Sequence, residues 1–373
     1  MNKPFVFGRA VGQSNFIGRQ QEVKRLEMNF THGVNTILMS PRRWGKTSIV
    51  KRVAEMVASK KLIVVYMDVF SCRDEYDFCN KFASEILQKT GNRMDDLKSL
   101  AGDFITRLMP KFSFSVDGVS DWSVSLGITP KTHKPEEVYQ LPEIIAQKKK
   151  CDILVCIDEF QQVGEFSDSL SVQKRMRTVW QHQEHVSYCL FGSKKHMMEN
   201  LFLKKNYPFY KFGDIVPILP ISVEEWIPYI RQGFESEGKS ISDTFAQMIC
   251  ERVRLHPSYI QQYAWLTLLN TQDAVTEEAL QRGYEELMDE NSSLFTALTE
   301  HLSTFQLNFL RAVSQGVHAG FSKEEIRQNF RLGSYSNITR IKSALENAEL
   351  IDVTPDRIEF SDPVFEGWFR LNF

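Results

Sequence analysis

The sequence predicts an α/β fold in which a parallel β-sheet is covered by helices on both faces and followed by two smaller, mostly helical parts. Five short apolar runs alternate with helical patterns. Several runs are nearly continuous in Val, Ile, Leu and Cys, as in strands buried on both faces. Alternation of strands and helices favours right-handed crossovers and hence a parallel sheet. The predicted strands are Thr36–Ser40, Leu62–Asp68, Ile153–Asp158, Tyr188–Ser193 and Ile215–Leu219.

Composition narrows the class of protein. The chain has 373 residues, of which 42% are hydrophobic and 25% charged, as in a soluble protein of two or three domains. A net charge of −2 gives no global basic field for nucleic acid. The N-terminus lacks a signal-peptide pattern and no apolar run is long enough for a membrane span, so we expect no membrane partner. Six scattered cysteines without C-x-x-C pairs indicate a reducing cytoplasm, with no disulfide framework or zinc site.

The first predicted strand leads into a loop that ends in Gly-Lys-Thr and then into a helical pattern over Lys46–Ser59. This layout of strand, loop and helix start is typical of a phosphate-binding P-loop, because loop N–H groups and the positive end of the helix dipole face an anion. Lys46 is expected to reach the β- and γ-phosphates, and the Thr47 hydroxyl to ligate Mg²⁺. The layout predicts ATP or ADP with Mg²⁺ as cofactors. The nucleotide-binding residues predicted in the loop are Ser40, Pro41, Arg42, Arg43, Trp44, Gly45, Lys46, Thr47 and Ser48.

One position departs from the P-loop pattern. The pattern begins with Gly, and this chain has Ser40 there. If the turn requires a positive φ, a serine is strained where a glycine is not. We therefore expect reduced nucleotide affinity and slow ATP hydrolysis.

Two carboxylates follow the third predicted strand. The run Ile153–Asp158 ends in Asp158 and Glu159, at the carboxyl end of a strand, where open parallel sheets bind ligands. Asp158 is predicted to hold Mg²⁺, and Glu159 to polarise the attacking water. The next strand ends in Ser193, which is either a sensor of the γ-phosphate with a catalytic role or part of a Gly-Ser turn.

A segment between these motifs follows another pattern. Phe112–Val116 and Trp122–Leu126 alternate with period two around a Gly-containing turn. This predicts a β-hairpin insertion at about 104–130. Its apolar face either packs on the core or forms an edge that binds a partner.

The chain becomes helical from Ser222. Ser222-x-x-Glu225 and Ser322-x-x-Glu325 are predicted capping boxes. In the last part, three helices followed by two strands are the order of a winged helix-turn-helix. The predicted helices are Glu224–Glu237, Ser242–Arg254, Ser258–Leu269, Thr276–Asp289, Thr304–Gln315, a short one capped at Ser322, and Ser336–Asn347, and the predicted strands are Leu350–Val353 and Arg357–Phe360. The predicted domains are a P-loop core (1–220), a helical lid (221–298) and a winged helix (299–373).

Taken in order, these motifs resemble the archaeal-type ATPase family of the STAND branch of AAA+ proteins, over nearly the whole chain. The resemblance implies an AAA+-like P-loop NTPase core, a helical lid and a C-terminal winged helix. It also implies that Gly18 and Arg19 border the adenine, and that His256 and Pro257 form the corner where the lid meets the nucleotide. The segments that carry the resemblance are Asn15–Glu22, Ser40–Thr47, Ile157–Gln161, Gly192-Ser193, His256-Pro257 and Asp362–Arg370.

One family segment differs here. The family's Pro-Leu-Tyr-Gly-Arg segment is similar to Pro208–Phe212, with Phe212 in place of Arg. Lys211 either contacts a phosphate as a point charge or belongs to an aromatic-rich loop. No arginine finger is evident, and Arg175 and Arg177 act either as such a finger or as a solvated helix face.

The partner is not named by the sequence. The part Leu302–Phe373 has eight basic and nine acidic residues, a net charge of −1, which favours a protein partner over DNA. The leading prediction is a slow, Mg²⁺-dependent ATPase that acts as a conformational switch and regulates an unknown protein partner. The alternatives are a nucleotide-gated DNA-binding regulator and a nucleotide-binding scaffold that does not hydrolyse ATP.

Overall fold

The chain forms two compact units. A computed structural model describes residues 4–8, 12, 15–91, 128, 134–354 and 356–373. One unit is Arg19–Leu219, and the other is Met1–Gly18 together with Pro220–Phe373. The first residues thus group with the C-terminal part of the chain, although the predicted first domain includes them. The predicted hairpin insertion lies outside the described residues, apart from Ile128.

The unit Arg19–Leu219, called the sheet unit below, contains alternating strands and helices. A 3₁₀-helix, Phe160–Glu165, follows the third strand directly. The other described elements are α1 (Gln20–Thr31), β1 (Thr36–Met39), α2 (Lys46–Val57), β2 (Leu62–Asp68), α3 (Glu75–Thr90), α4 (Pro135–Lys149), β3 (Asp152–Asp158), α5 (Ser169–Trp180), β4 (Val186–Gly192), α6 (Lys195–Leu203) and β5 (Asp214–Pro217).

The sheet is parallel, as predicted, with the strand order β2-β3-β4-β1-β5. Helices cover both of its faces. The two strands that carry the predicted catalytic residues are neighbours, since Ile157 of β3 lies opposite Leu190 of β4. β4 lies between β3 and β1, so the carboxyl ends of all three strands meet at one edge of the sheet. Every residue of β4 is buried, which explains why its sequence is mostly apolar.

Aromatic side chains fill much of the core beside the sheet. Trp180 stacks on Tyr188 with ring centroids 4.0 Å apart. Phe209 and Phe212 pack edge to face at 5.2 Å, and both are buried. Such pairs contribute about 0.5–1.5 kcal/mol beyond the area they bury. The segment Pro208–Phe212 is therefore an aromatic-rich loop that packs into the core.

The second unit, called the C-terminal unit below, is mainly helical. Its one described sheet is an antiparallel pair of strands, Ile351–Val353 and Ile358–Phe360. The described elements are α7 (Val223–Ser236), α8 (Asp243–Arg252), α9 (Pro257–Leu269), α10 (Glu277–Glu300), α11 (Thr304–Ser314), α12 (Glu324–Asn329), α13 (Tyr335–Asn347), β6 (Ile351–Val353), β7 (Ile358–Phe360) and α14 (Pro363–Asn372).

The predicted helix caps were only partly right. Ser222 is the N-cap residue of α7, but its side chain makes no capping bond. The N-cap of α12 is Lys323 and not Ser322, because that helix begins one residue later than the pattern predicts. A complete capping box occurs instead at Ser303 and Gln306, at the start of α11. The Ser303 hydroxyl accepts from the Gln306 backbone N–H, and the Gln306 side chain accepts from the Ser303 backbone N–H. In this pattern Gln takes the place of the expected Glu.

One hydrophobic cluster runs through the whole C-terminal unit. It includes Trp226 of α7, Tyr263 of α9, Phe309 of α11 and Phe369 of α14. α10 extends to Glu300, beyond both its predicted end and the predicted boundary at 298/299. The elements after α10 follow the predicted order of three helices and two strands. Their interpretation as a separate winged-helix domain stays a prediction.

No helix in the described ranges combines the length and the apolar character that a membrane span needs.

Candidate nucleotide-binding and catalytic site

The loop from Ser40 to Gly45 joins β1 to the N-terminus of α2. Two of its residues have positive φ, Arg43 at 60° and Gly45 at 86°. Ser40 is not in this region, so the strain expected from replacing glycine by serine is absent. That expectation was wrong because the left-handed positions of the loop are occupied by other residues. Pro41 and Trp44 are half-buried, Arg42 and Arg43 are exposed, and Ser48 is buried in α2.

The Lys46 side chain folds back onto the loop. It is only 6% exposed. Its Nζ donates to the carbonyl oxygens of Ser40 at 2.9 Å and Pro41 at 2.7 Å, and to the Ser40 hydroxyl at 3.2 Å. A glycine at position 40 would lack the last of these acceptors. Serine in place of glycine at position 40 therefore adds a hydrogen-bond acceptor for Lys46 and does not strain the backbone.

Arg19 connects the start of α1 to the P-loop. Its guanidinium donates to the carbonyl oxygens of Trp44 at 2.8 Å and Leu219 at 2.9 Å. It also lies 3.5 Å from Glu22. Arg19 has a φ of 61° and is buried, so backbone and side chain are both held. A direct role of Arg19 at the adenine stays a prediction.

The Asp158 carboxylate joins the two main motifs. Its Oδ2 accepts hydrogen bonds from Thr47 Oγ1 at 2.9 Å and Tyr66 OH at 2.5 Å. Its Oδ1 accepts from the backbone N–H of Glu159 at 2.9 Å. Burial raises the pKa of Asp158, and the hydrogen bonds from Tyr66 and Thr47 partly oppose that rise. The structure thus brings together a hydroxyl and a carboxylate that stand far apart in the sequence.

Glu159 lies directly beyond the end of β3, with a φ of 56°. Its Oε2 accepts from the Ser193 hydroxyl at 2.9 Å and from the Ser193 backbone N–H at 3.3 Å. Gln161 Nε2 donates to the same oxygen. Ser193 therefore contacts the predicted catalytic carboxylate, whereas a sensor role toward phosphate stays a prediction.

The candidate arginine fingers are engaged inside the sheet unit. Arg175 forms a two-point ion pair with Glu75, at 2.8 and 2.5 Å, and Tyr139 OH donates to the same carboxylate. The Arg177 guanidinium lies over the ring of Phe212, 4.9 Å from its centroid. Burial lowers the pKa of Arg177. Neither side chain is the solvated helix face that the sequence favoured.

Three residues predicted to lie near the nucleotide belong to the C-terminal unit. His256 is the N-cap residue of α9, and its Nδ1 accepts from the Tyr259 backbone N–H at 3.4 Å. Pro257 occupies the first turn of that helix, where its missing N–H is tolerated. Gly18 also belongs to this unit, with a φ of 57°, and a side chain there would overlap the Glu225 carboxylate. The roles of these residues toward nucleotide stay predictions.

The chemistry of Thr47 and Asp158 fits Mg²⁺. Hard cations prefer oxygen ligands, and Mg²⁺ is usually held by one or two protein groups together with water and substrate phosphates. Within the described ranges, no group of three or more His, Cys, Asp or Glu side chains forms an all-protein metal site. The pair Thr47–Asp158 suits a metal that arrives with a nucleotide.

Three residues of this site were not predicted as functional. Tyr66 is a polar residue near the end of β2, and the end of β2 lies beside the end of β3, with Asp68 opposite Asp158. Gln161 and Gly192 stand beside predicted residues, but only the adjacency of β3 and β4 brings them together. For Tyr66 the signal was a polar residue within a mostly apolar strand, whereas Gln161 and Gly192 lie in segments that carry the family resemblance.

Comparisons with known proteins agree at the level of the fold. No protein-family model and no curated protein sequence matches the chain. Among solved structures it is similar to the Walker-type ATPase PABY2304 of Pyrococcus abyssi, with a TM-score of 0.71 and 14% identity over 98% of this chain and 99% of that one. It is also similar to the ORC2 protein of Aeropyrum pernix in its ADPNP–ADP complexes, with a TM-score of 0.60 and 13% identity over 99% and 98% of the two chains. The chain therefore has the fold of the P-loop AAA+ ATPases.

Proposed function

We propose that the protein binds ATP with Mg²⁺, hydrolyses it, and uses the cycle as a conformational switch. One observation carries the proposal: the hydrogen bond of 2.9 Å between Thr47 Oγ1 and Asp158 Oδ2. It joins the P-loop to the carboxylates of β3 at the edge of a parallel sheet where ligands bind. The likeness of the fold to AAA+ ATPases supports this assignment.

Each residue has a role that its chemistry supports. The loop N–H groups and Lys46 bind the phosphates, while Thr47 and Asp158 would hold Mg²⁺. When bound, the metal neutralises charge on the phosphate oxygens. Glu159 orients a water molecule and accepts its proton as the water oxygen forms a bond to the γ-phosphorus, while the bond from that phosphorus to the ADP oxygen breaks. Ser193 holds the Glu159 carboxylate through two hydrogen bonds.

The switching role is supported by the protein acceptors that Lys46 and Thr47 already have. Lys46 is bonded to its own loop, and Thr47 to Asp158. To reach phosphates and metal, both side chains have to exchange these protein acceptors for ligand atoms. Binding energy is therefore coupled to local rearrangement of the loop and of the β3 end, which is what a nucleotide switch requires.

We propose a protein as the regulated partner. Five of the six arginines after Leu302 donate to acceptors within the C-terminal unit and are thereby less available to phosphates. Arg340, on α13, donates to Asn337 at 2.9 Å. The other four are Arg311, Arg327, Arg357 and Arg370. Together with the net charge of −1 in this part, these bonds favour a protein surface over DNA. We also propose that the protein belongs to the STAND branch of AAA+ ATPases.

Binding is tested with Lys46→Ala. We expect Mg²⁺-ATP binding, measured by calorimetry, to fall at least about 100-fold, since the lysine contacts the phosphates. The matched control is Lys239→Ala, because Lys239 also donates to backbone carbonyls, those of Leu268 and Thr271, but lies in the C-terminal unit. Equal ATP affinity of the Lys46 and Lys239 variants would contradict the phosphate assignment.

Hydrolysis is tested with Glu159→Gln. We expect ATP binding to persist and phosphate release to fall by about 100-fold or more, in the range for loss of a catalytic base. The control is Glu165→Gln. Glu165 is the last residue of the 3₁₀-helix that follows Glu159, and its carboxylate pairs with Lys194, so the rate of hydrolysis should stay unchanged. Unchanged phosphate release in the Glu159 variant would refute the catalytic role. A wild-type protein that binds Mg²⁺-ATP without turnover would be the scaffold of the alternative hypothesis.

The DNA alternative has its own test. We expect no binding of a duplex oligonucleotide at low salt, with or without ATP. A salt-dependent shift that Arg340→Ala weakens would favour the DNA-binding regulator instead.

A further inference from the structure

Gln161 is a buried amide in contact with the predicted catalytic carboxylate. Its side chain follows β3 in the first turn of the 3₁₀-helix and is 3% exposed. Nε2 donates to Glu159 Oε2, while the amide oxygen has no hydrogen-bond partner among the described residues. The reverse orientation of the amide would place its oxygen against the carboxylate, so the hydrogen-bond network fixes its orientation. A buried polar atom without a partner is unfavourable, which calls for a reason at this position.

The neighbouring strand leaves space for this amide. A Cβ atom added to Gly192 would overlap the amide oxygen of Gln161. Gly192 has no positive φ, so its backbone does not require glycine. We conclude that position 192 lacks a side chain because Gln161 occupies that volume.

The two oxygens of Glu159 are used very differently. Oε2 accepts from Gln161, from the Ser193 hydroxyl and from the Ser193 backbone N–H. Oε1 accepts no hydrogen bond from the described residues, and the side chain is partly exposed. One oxygen is thus fixed by donors on β4 and on the 3₁₀-helix, and the other is left for a ligand or water.

We propose that Gln161 is a positioning residue that fixes the Glu159 carboxylate through Oε2 and thereby presents Oε1 to the attacking water. Ser193 provides the second restraint, and Gly192 makes room for the first. The proposal rests on the proposed function, because it assigns how that same carboxylate is aimed. Orientation of a general base contributes to rate through the fraction of time spent in the reactive geometry, so the effect falls on kcat and not on nucleotide affinity.

The test is Gln161→Ala, measured against Gln173→Ala. Gln173 is an ideal control because it is also buried, donates one side-chain hydrogen bond, to Ser169, and has an unpartnered amide oxygen, but it lies in α5. We expect Gln161→Ala to lower kcat about tenfold with unchanged ATP affinity, and Gln173→Ala to leave both unchanged. Equal kcat in the two variants would overturn the proposal.

A double-mutant cycle with Gly192→Ala separates positioning from a general loss of stability. We expect Gly192→Ala to lower kcat by itself, because the new methyl group displaces Gln161. In the Gln161→Ala background the methyl group has space, so a further decrease is not expected. Rates that fall independently and multiply in the double variant would contradict the coupling.

A third measurement needs neither nucleotide nor turnover. The Ser193 backbone N–H donates to the same Glu159 oxygen at 3.3 Å. Its amide hydrogen exchange, followed by nuclear magnetic resonance, should become at least about threefold faster in Gln161→Ala and stay unchanged in Gln173→Ala. Unchanged exchange in both variants would overturn the positioning role. A wild type without ATP turnover would overturn only the proposed function, because the exchange measurement still decides how Glu159 is held.

Discussion

Removal of one hydroxyl group at the P-loop is expected to tighten ATP binding. Ser40 Oγ accepts a hydrogen bond from Lys46 Nζ at 3.2 Å. If Lys46 leaves this acceptor to reach the phosphates, this bond is lost when ATP binds. Ser40→Ala removes the bond without changing the backbone preference, because Ser40 has no positive φ. The variant should therefore bind ATP more tightly.

The size of the effect follows from the contacts of Lys46. A hydrogen bond to a charged group contributes about 1.5–3 kcal/mol. The bond from Lys46 Nζ to Ser40 Oγ, at 3.2 Å, is longer than its bonds to the carbonyl oxygens of Ser40 and Pro41, at 2.9 and 2.7 Å, and these two bonds remain in the variant. We therefore expect about 1 kcal/mol, which corresponds to about a fivefold lower Kd for ATP.

The same free energy can be measured twice. Calorimetry gives the change in Kd, and urea denaturation of the nucleotide-free protein gives the change in the free energy of unfolding. Both should be about 1 kcal/mol, one as a gain in binding and the other as a loss of stability. Ser187→Ala is the control, because Ser187 is a buried serine of the same sheet that lies on β4 and away from the loop.

An equal or higher Kd in Ser40→Ala, with the expected loss of stability, would refute this reasoning. It would mean that the Ser40 hydroxyl also stabilises the nucleotide-bound state. A gain in affinity with no change in stability would show that the hydroxyl acts in the bound state, by crowding the phosphates.

Three further predictions concern charged groups. Burial raises the pKa of Asp158 above 3.8, so the folded protein binds the carboxyl proton more tightly than the unfolded chain does. The stability that this bound proton contributes is therefore lost as pH rises through the raised pKa. The difference in unfolding free energy between Asp158→Asn and wild type, measured without Mg²⁺, should therefore shift in favour of the variant from about pH 4 to pH 7. Arg175→Met leaves the buried Glu75 carboxylate without its ion pair and should lower the unfolding free energy by about 1–3 kcal/mol with turnover unchanged, whereas lost turnover at normal stability would make Arg175 a finger. Glu366→Gln removes the charge that pairs with both Arg254 and Arg370 and should lower stability by about 1–3 kcal/mol in urea denaturation, and an unchanged midpoint would show that these two ion pairs contribute little.

The sheet could be predicted well because its sequence signals are local. β3 beyond Asp152 and all of β4 are buried, and burial on both faces favours the mostly apolar runs that are seen in the sequence. The P-loop is equally local, since strand, loop and helix start follow one another directly. The fold class and the residues Lys46, Thr47 and Asp158 therefore follow from the sequence.

The interactions among those residues could not be predicted in the same way. Glu159 meets Ser193 only because β3 and β4 are neighbours, and strand order depends on packing throughout the sheet. The prediction of strain at Ser40 was wrong for a related reason. A sequence motif shows where glycine is common, but the backbone conformation of the loop decides which residues have a positive φ. In this loop these residues are Arg43 and Gly45. Phe212 illustrates the same limit, because its burial depends on Trp180 and Tyr188.

The C-terminal unit is held together across the predicted boundary between lid and winged helix. Arg254 donates to the Phe360 carbonyl at 3.2 Å and pairs with Glu366, while Tyr259 OH donates to Asp362. Arg254 and the following Leu255 have φ values of 47° and 58°, an uncommon pair of left-handed residues directly before His256. Such a backbone persists only where surrounding contacts hold it. Since those contacts include β7 and α14, a displacement of the His256 corner would strain the last helix directly. Regulation of a partner through the C-terminal part would therefore need no flexible linker.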